Sequence, residues 1–331
     1  MKKNIIIGVL AVGIVGTLFY FNNGEQDFLK RENVDMAEDY PQVYETDVDS
    51  EKDCASFETY DADKKICSFE CKDENECSIL NKQAEAEFAS WTEELGNDKS
   101  PVQEKEIVEN ADTFKASYKV ETEEKIVFQK GSDDTKYREI WDKIKELSPD
   151  NLSNKYIEDF EVFSDGKDDT LAFVDDQDQN GKWRVAVNLS GYESSTEREN
   201  KATIIHELGH IISLNSSQVF PDAATCSNLK LDEGCPKDDS FINTFWNKFW
   251  KGVKNPEFDE SKFVTEYATT NEVEDLAESF AFFVLGNKPE GNDEKDQKIQ
   301  LLYTFPDLVA IRTEMRNSLS KDIIRAKKVT N

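Results

Sequence analysis

The sequence predicts an α+β fold on three observations: strand-like runs come first, helical periods follow them, and the chain's two histidines share one helical stretch. Residues 113 to 130 (TFKASYKVETEEKIVFQK) alternate as a hairpin does. Residues 136 to 147 then change to a helical period, with Ile140, Ile144 and Leu147 on one side. Three more strand-like runs follow at residues 157 to 163, 171 to 174 and 183 to 189. A helix begins near Glu197, because Thr196 and Glu199 have capping-box spacing, and Asn215 is its stop. Its apolar face is Ile204, Ile205, Leu208, Ile211 and Ile212. Residues 265 to 285 form the next strong helix, with Thr269 or Asn271 as cap and Gly286 as stop. Leu276, Ala277, Phe280, Ala281 and Val284 make its core face. Between these helices residues 216 to 262 form a long insert, whose Phe241, Phe245, Trp246, Phe249 and Trp250 are expected to pack on the core.

Upstream, the 331-residue chain divides by composition. Residues 1–22 hold an uncharged apolar run behind Lys2 and Lys3, read as a transmembrane anchor in preference to a cleaved signal sequence. Both basic residues precede the run, so the rest of the chain is expected outside the cytoplasm, in the cell membrane's single-pass arrangement or as a secreted protein. Residues 23–53 are acidic and without periodicity, as a flexible stalk is. Residues 54–98 carry Cys54, Cys67, Cys71 and Cys77 and then a helical stretch, with Ile79, Leu80, Ala84, Phe88, Trp91 and Leu95 roughly on one side: a small Cys-stapled helical module. Ser100 and Pro101 mark a boundary, and residues 101–331 form the main domain.

The six cysteines fall as four plus two, and an even number in an exported chain points to disulfides. Local pairing joins Cys226 to Cys235 but leaves three connectivities for the first four. The net charge of −29, spread along the chain with no basic stripe, excludes a nucleic-acid partner. Asp176, Asp178 and Asn180 match the opening of a calcium loop, but Val187 stands where its bidentate Glu belongs. A tight hairpin turn at Asn180-Gly181 is the stronger reading, and Ca2+ the weaker.

His206-Glu207-Leu208-Gly209-His210 is an H-E-x-x-H motif. Residues four apart on a helix lie one turn from each other, so both imidazoles reach one ion. Glu207 is one step round the helix, placed to hold a water as general base. No histidine remains for a third ligand, so a carboxylate is expected, which makes one Zn2+ ion the cofactor. Glu274 and Glu278 sit one turn apart on the later helix; one can bind the metal while the other orients a ligating imidazole.

Thr265-Glu266-Tyr267 followed by residues 271 to 280 (NEVEDLAESF) resembles the second zinc helix of gluzincin metallopeptidases, closest to the catalytic domain of anthrax lethal factor. The HELGH helix matches as well, and the resemblance covers roughly residues 196 to 285. It implies a zincin-like domain: a small mixed sheet, then the active-site helix and C-terminal helices. It also implies Glu274 as the third metal ligand, Glu278 as its companion behind a ligand, and Tyr267 as hydroxyl donor to the oxyanion. The expected function is a zinc-dependent endopeptidase acting on peptide or protein substrates outside the cytoplasm. The competing expectation is a non-catalytic surface or binding protein with a structural or vestigial zinc site. The long insert departs from the family pattern.

Overall fold

The computed structural model describes residues 43–47, 50–97, 114–122, 125–149, 152–164, 171–176, 181–221, 223 and 225–330. The anchor expected at residues 1–22 lies outside them, and among the described residues no helix is long and apolar enough to cross a membrane. The architecture is mixed α and β. It begins with β1 (Val43–Asp47), β2 (Thr59–Asp61), β3 (Ile66–Glu70) and α1 (Glu74–Asn97). Next come β4 (Phe114–Thr122), β5 (Lys125–Gly131), α2 (Thr135–Leu147), α3 (Leu152–Tyr156), β6 (Ile157–Phe163), β7 (Ala172–Asp175), β8 (Trp183–Asn188), α4 (Leu189–Ser194) and α5 (Glu197–Leu214). The remainder is β9 (Val219–Phe220), β10 (Cys235–Pro236), α6 (Phe241–Phe245), α7 (Glu272–Leu285), α8 (Glu294–Leu302) and α9 (Pro306–Thr330).

The central sheet has the order β5-β4-β6-β8-β7. Its one parallel pair is β6 with β8, and β7 returns antiparallel along the outer edge of β8. The inner strands carry the apolar residues: Phe160 and Val162 on β6 and Val185, Ala186 and Val187 on β8 are buried. A strand flanked on both sides has its backbone groups paired, so apolar side chains there cost nothing in lost hydration of the ladder. Tyr118 stacks on Phe160 at 5.7 Å, and Trp141 of α2 meets the same ring at 5.6 Å, which fixes α2 against the sheet. Asp134 caps α2 by accepting from the Lys136 N–H.

The expected stalk contributes a strand. Tyr44 of β1 is buried, stacks on Phe69 of β3, and donates to Asn81 of α1 at 2.8 Å. The module expected at residues 54–98 therefore reaches back to Val43 and is part sheet, with strand order β1-β3-β2 beside α1. Two disulfides close it, Cys54–Cys67 and Cys71–Cys77, the second tying the end of β3 to the first turn of α1. On α1 the buried line is Cys77, Leu80, Ala84, Phe88 and Trp91. Ile79, expected on that side, is 48% exposed, because it stands one residue off the three-and-four spacing of the line.

The aromatic stretch of the insert packs as expected. Phe241, Phe245 and Trp250 are buried, with Trp246 and Phe249 partly buried against the same core. After α6 the helix widens into a π turn over Trp246–Trp250, closed by Lys251 N–H to Trp246 O at 2.9 Å. That widening brings the Trp250 indole to Asp275 of α7, donating to its carboxylate at 2.7 Å. Lys298 of α8 reaches the same carboxylate at 2.7 Å and also donates to the Lys262 carbonyl at 2.7 Å. Asp275 and Lys298 are both fully buried, so this pair rivets the insert, α7 and α8 together.

The C-terminal end of α7 is held by α9. A helix leaves its last carbonyls without intrahelical partners, and two buried guanidinium groups supply them here. Arg312 donates to Phe283 O at 2.6 Å and Gly286 O at 2.9 Å; Arg316 donates to Val284 O at 2.8 Å and Leu285 O at 3.1 Å. Arg316 also pairs with Glu85 of α1 at 2.5 Å and lies 4.2 Å over the Phe88 ring. One side chain thus joins α1, α7 and α9. Replacing Arg316 by Met keeps the bulk but strands those carbonyls and Glu85, which is expected to cost about 2–4 kcal/mol. Thermal unfolding followed by circular dichroism should show the midpoint falling by several degrees; an unchanged midpoint would remove the capping role.

Candidate metal centre

The centre is built where α5 crosses α7. The capping box on α5 is complete: Glu199 N–H donates to the Thr196 hydroxyl, and the Glu199 carboxylate accepts from Thr196 N–H at 2.6 Å. From Ala202 to Leu214 almost every residue is buried, on both sides of the helix and not on one face alone. α5 is enclosed because α7, α2 and β7 all pack on it. Its two histidines therefore lie in the interior, 7% and 8% exposed, at the contact with α7.

Gly209, between them in sequence, makes that contact close. A Cβ there would stand 2.9 Å from the Phe280 ring of α7, inside the normal contact limit. The absent side chain lets α7 approach until its first turn reaches the imidazoles. Asn271 caps α7 by accepting from Val273 N–H and Glu274 N–H, and this sets where Glu274 leaves the helix. The expected helix over residues 265 to 285 is interrupted: a 3-10 turn at Tyr267–Thr269 precedes α7.

His206 Nε2 and His210 Nε2 are 3.0 Å apart, and Glu274 Oε2 is 3.1 Å from the first and 3.3 Å from the second. A tetrahedral ion with bonds of about 2.0–2.1 Å has ligand–ligand edges of about 3.3 Å, so this triangle is close to one face of such a polyhedron. His206, His210 and Glu274 are a group that can hold a metal ion. The electrostatics agree. Burial works against a charged His206 ring, yet Glu274 and Glu278 outweigh it and raise its pKa well above the ordinary histidine value. Burial likewise opposes ionised Glu274, but His210 and His206 hold its carboxyl far below the usual range. A site that retains a proton so strongly at a ring nitrogen favours any cation there.

Of the two carboxylates left open by spacing, Glu274 faces the Nε2 pair, while Glu278 lies behind His206, with Oε1 2.6 Å from Nδ1. The other oxygen of Glu278 accepts from the Thr265 hydroxyl at 2.5 Å, and that hydroxyl accepts from Ala268 N–H at 3.2 Å. Thr265, Glu278 and His206 form a chain from backbone to ring that fixes the imidazole's orientation. Spacing carried no signal for the Thr265 contact, since it comes from the irregular segment before α7.

Glu207 is 9% exposed, and no hydrogen bond or ion pair from a described residue reaches its carboxylate. Burial pushes its pKa above the usual carboxylate range, opposed by the neighbouring His206 and His210. The Tyr267 ring is tilted beside His206, with centroids 5.9 Å apart. At the other sequence-predicted site, Asp176 accepts from Gly181 N–H at 2.7 Å and β7 and β8 pair antiparallel, as in a hairpin; Asp178 and Asn180 lie outside the described residues.

Titration with Zn2+ tests the triangle. Glu274→Ala should abolish stoichiometric binding, whereas Glu278→Ala should weaken it by about 10–100-fold. Equal effects of the two substitutions would contradict the assignment of one as ligand and the other as support.

The chain matches no protein-family model, no curated protein and no solved structure.

Proposed function

We propose that this protein is a zinc-dependent endopeptidase with a zincin-like domain of the gluzincin kind, working outside the cytoplasm. The observation that carries the reading is the triangle of His206 Nε2, His210 Nε2 and Glu274 Oε2, with the buried Glu207 next to His206 on the same helix. Two imidazoles and one carboxylate are the donor set of hydrolytic zinc sites, whereas structural zinc sites close with four ligands that include cysteine. All six cysteines are spent in disulfides, Cys54–Cys67, Cys71–Cys77 and Cys226–Cys235, which also suits an oxidising compartment. With residues 1–22 read as a membrane anchor whose apolar run follows Lys2 and Lys3, the same compartment follows.

Bound by these residues, zinc would make water nucleophilic near neutral pH and polarise the scissile carbonyl. Glu207, buried on α5 between the two histidines, is the general base of this reading: it takes the proton of the attacking water and passes it to the leaving amine. Tyr267, beside His206, donates its hydroxyl to the developing oxyanion. Glu278, itself held by Thr265, keeps His206 in the orientation that points Nε2 at the ion.

Two substitutions separate these roles. Glu207→Gln should retain one zinc per chain by mass spectrometry and lose cleavage of a quenched-fluorescent peptide library by about 10²–10⁴-fold in kcat. Retained, chelator-sensitive cleavage in that variant would refute the mechanism, and absence of cleavage in the unmutated protein would favour a binding role for the site. Tyr267→Phe should lower kcat by about 10²–10³-fold with zinc binding unchanged; a change confined to KM would make the tyrosine a substrate contact.

A further inference from the structure

The stretch from Trp250 to Phe263 does more than fasten α7. Together with the start of α8 it encloses a cavity of about 660 Å3. Trp250, Phe263 and Lys298 are its buried lining, at 6%, 4% and 1% exposure. Its lip is exposed and is formed by Val253, Glu257, Phe258, Asp259 and Lys262. None of His206, Glu207, His210, Tyr267 or Glu274 lines it, so it is separate from the metal centre. The two are joined only through the wall, because the Trp250 indole holds Asp275, the neighbour of Glu274.

The cavity is built, not collapsed loop. The N–H groups of Lys262 and Phe263 donate to the Asp259 carbonyl at 2.8 and 3.0 Å. The Asp259 carboxylate accepts from the Ser261 N–H at 3.0 Å and from its hydroxyl at 2.7 Å. Lys295 N–H then donates to the Ser261 carbonyl at 3.1 Å, which ties this wall to α8. At the bottom Lys298 is spent on the Asp275 carboxylate and the Lys262 carbonyl, with the Phe263 ring 3.9 Å beneath its ammonium. It offers a ligand no net charge.

What the cavity does offer is apolar surface under an anionic rim. Phe258 and Val253 are 36% and 42% exposed, large apolar side chains that a folded chain buries when it can. Glu257, Asp259 and Glu294 contribute three carboxylates, against which stands Lys262, 3.7 Å from Asp259. Among the described residues no hydrogen bond or ion pair reaches Glu257. The chain's net charge of −29 draws a ligand of the same sign as this rim requires.

Resting on the peptidase reading for the identity of its occupant, we propose that this cavity is a second substrate-binding site, for a peptide segment in which an arginine or lysine adjoins a large apolar side chain. Its volume is within the range of about 300–1,000 Å3 usual for ligand sites. The apolar side chain fills the space beside Phe258 and Val253. The neighbouring cation pairs with Glu257, and a guanidinium can also lie flat on the Phe258 ring.

Fluorescence anisotropy on the zinc-loaded full chain carrying Glu207→Gln reads binding without turnover. The probe is a labelled glycine-serine peptide holding one arginine-phenylalanine pair. Exchanging its phenylalanine for alanine should weaken binding by about tenfold or more. Exchanging its arginine for glutamine should weaken it by about 2–5-fold, an effect that fades as salt is added. Phe258→Ala should abolish the first difference and Glu257→Gln the second, with zinc stoichiometry and melting midpoint unchanged, since both side chains stand on the exposed lip. With Glu207 restored, the pair placed several residues from the cleaved bond should lower KM and leave kcat alone, and the two lip substitutions should remove that gain. Binding that ignores the pair, or survives both lip substitutions, sinks this inference, and cleavage of a peptide library by the unmutated protein then leaves the peptidase reading standing. Pair-dependent binding that needs the lip, with no peptide cleaved, upholds the cavity as a peptide site and sinks the peptidase reading. Equal binding of arginine amide or benzylamine alone would make the occupant a small organic cation and overturn the peptide assignment.

Discussion

The close crossing of α5 and α7 at Gly209 and Phe280 is the constraint on which the rest depends. Neither helix holds a complete ligand set: α5 supplies two imidazoles and α7 one carboxylate. Bringing three ligand atoms within about 3 Å of each other tolerates errors well under an ångström, which a loop could not guarantee. The fold answers by locking α7 at both ends. Asp275, next to Glu274, is pinned by Trp250 and Lys298, and the far end is capped by Arg312 and Arg316. These are buried charges, and burying them is costly unless each is paired. What they contribute is one defined helix position.

The same crossing explains the distribution of polar groups. Glu278 and Thr265 stand behind His206, where they orient the ring without competing for the ion. Glu207, on the α5 side, is buried, and among the described residues no hydrogen bond reaches its carboxylate. The long insert contributes through its aromatic arm, which bolts α7 through Trp250.

Much of the local structure was legible. Thr196 with Glu199, Asn271 and Gly286 are caps whose hydrogen bonds involve neighbours within a few residues, so their identity suffices to place helix ends. β6 likewise announced itself through a run of residues that needs no distant partner to be recognised. Less legible were β1, inside a stretch too acidic to read as strand, and Ile79, assigned to a face it does not share. For β1 the deciding contacts come from far along the chain, since Tyr44 needs Phe69 and Asn81, whereas Ile79 stands one residue off the helical line. The 3-10 turn at Tyr267–Thr269 before α7 carried no periodic signal, because residues 265 to 271 are too short and polar to show one.

By itself the sequence determined the chemistry on offer: a pair of histidines one helical turn apart, a glutamate between them, and acidic residues one turn apart on a second helix. These depend on spacing along a helix, which is a local property. Only the tertiary structure decided that Glu274 and not Glu278 faces the Nε2 pair, that Thr265 supports Glu278, and that Cys54 joins Cys67 and Cys71 joins Cys77. Each of those turns on the distance and rotation between elements separated by dozens of residues, and packing at Gly209 and the buried charges around α7 set both.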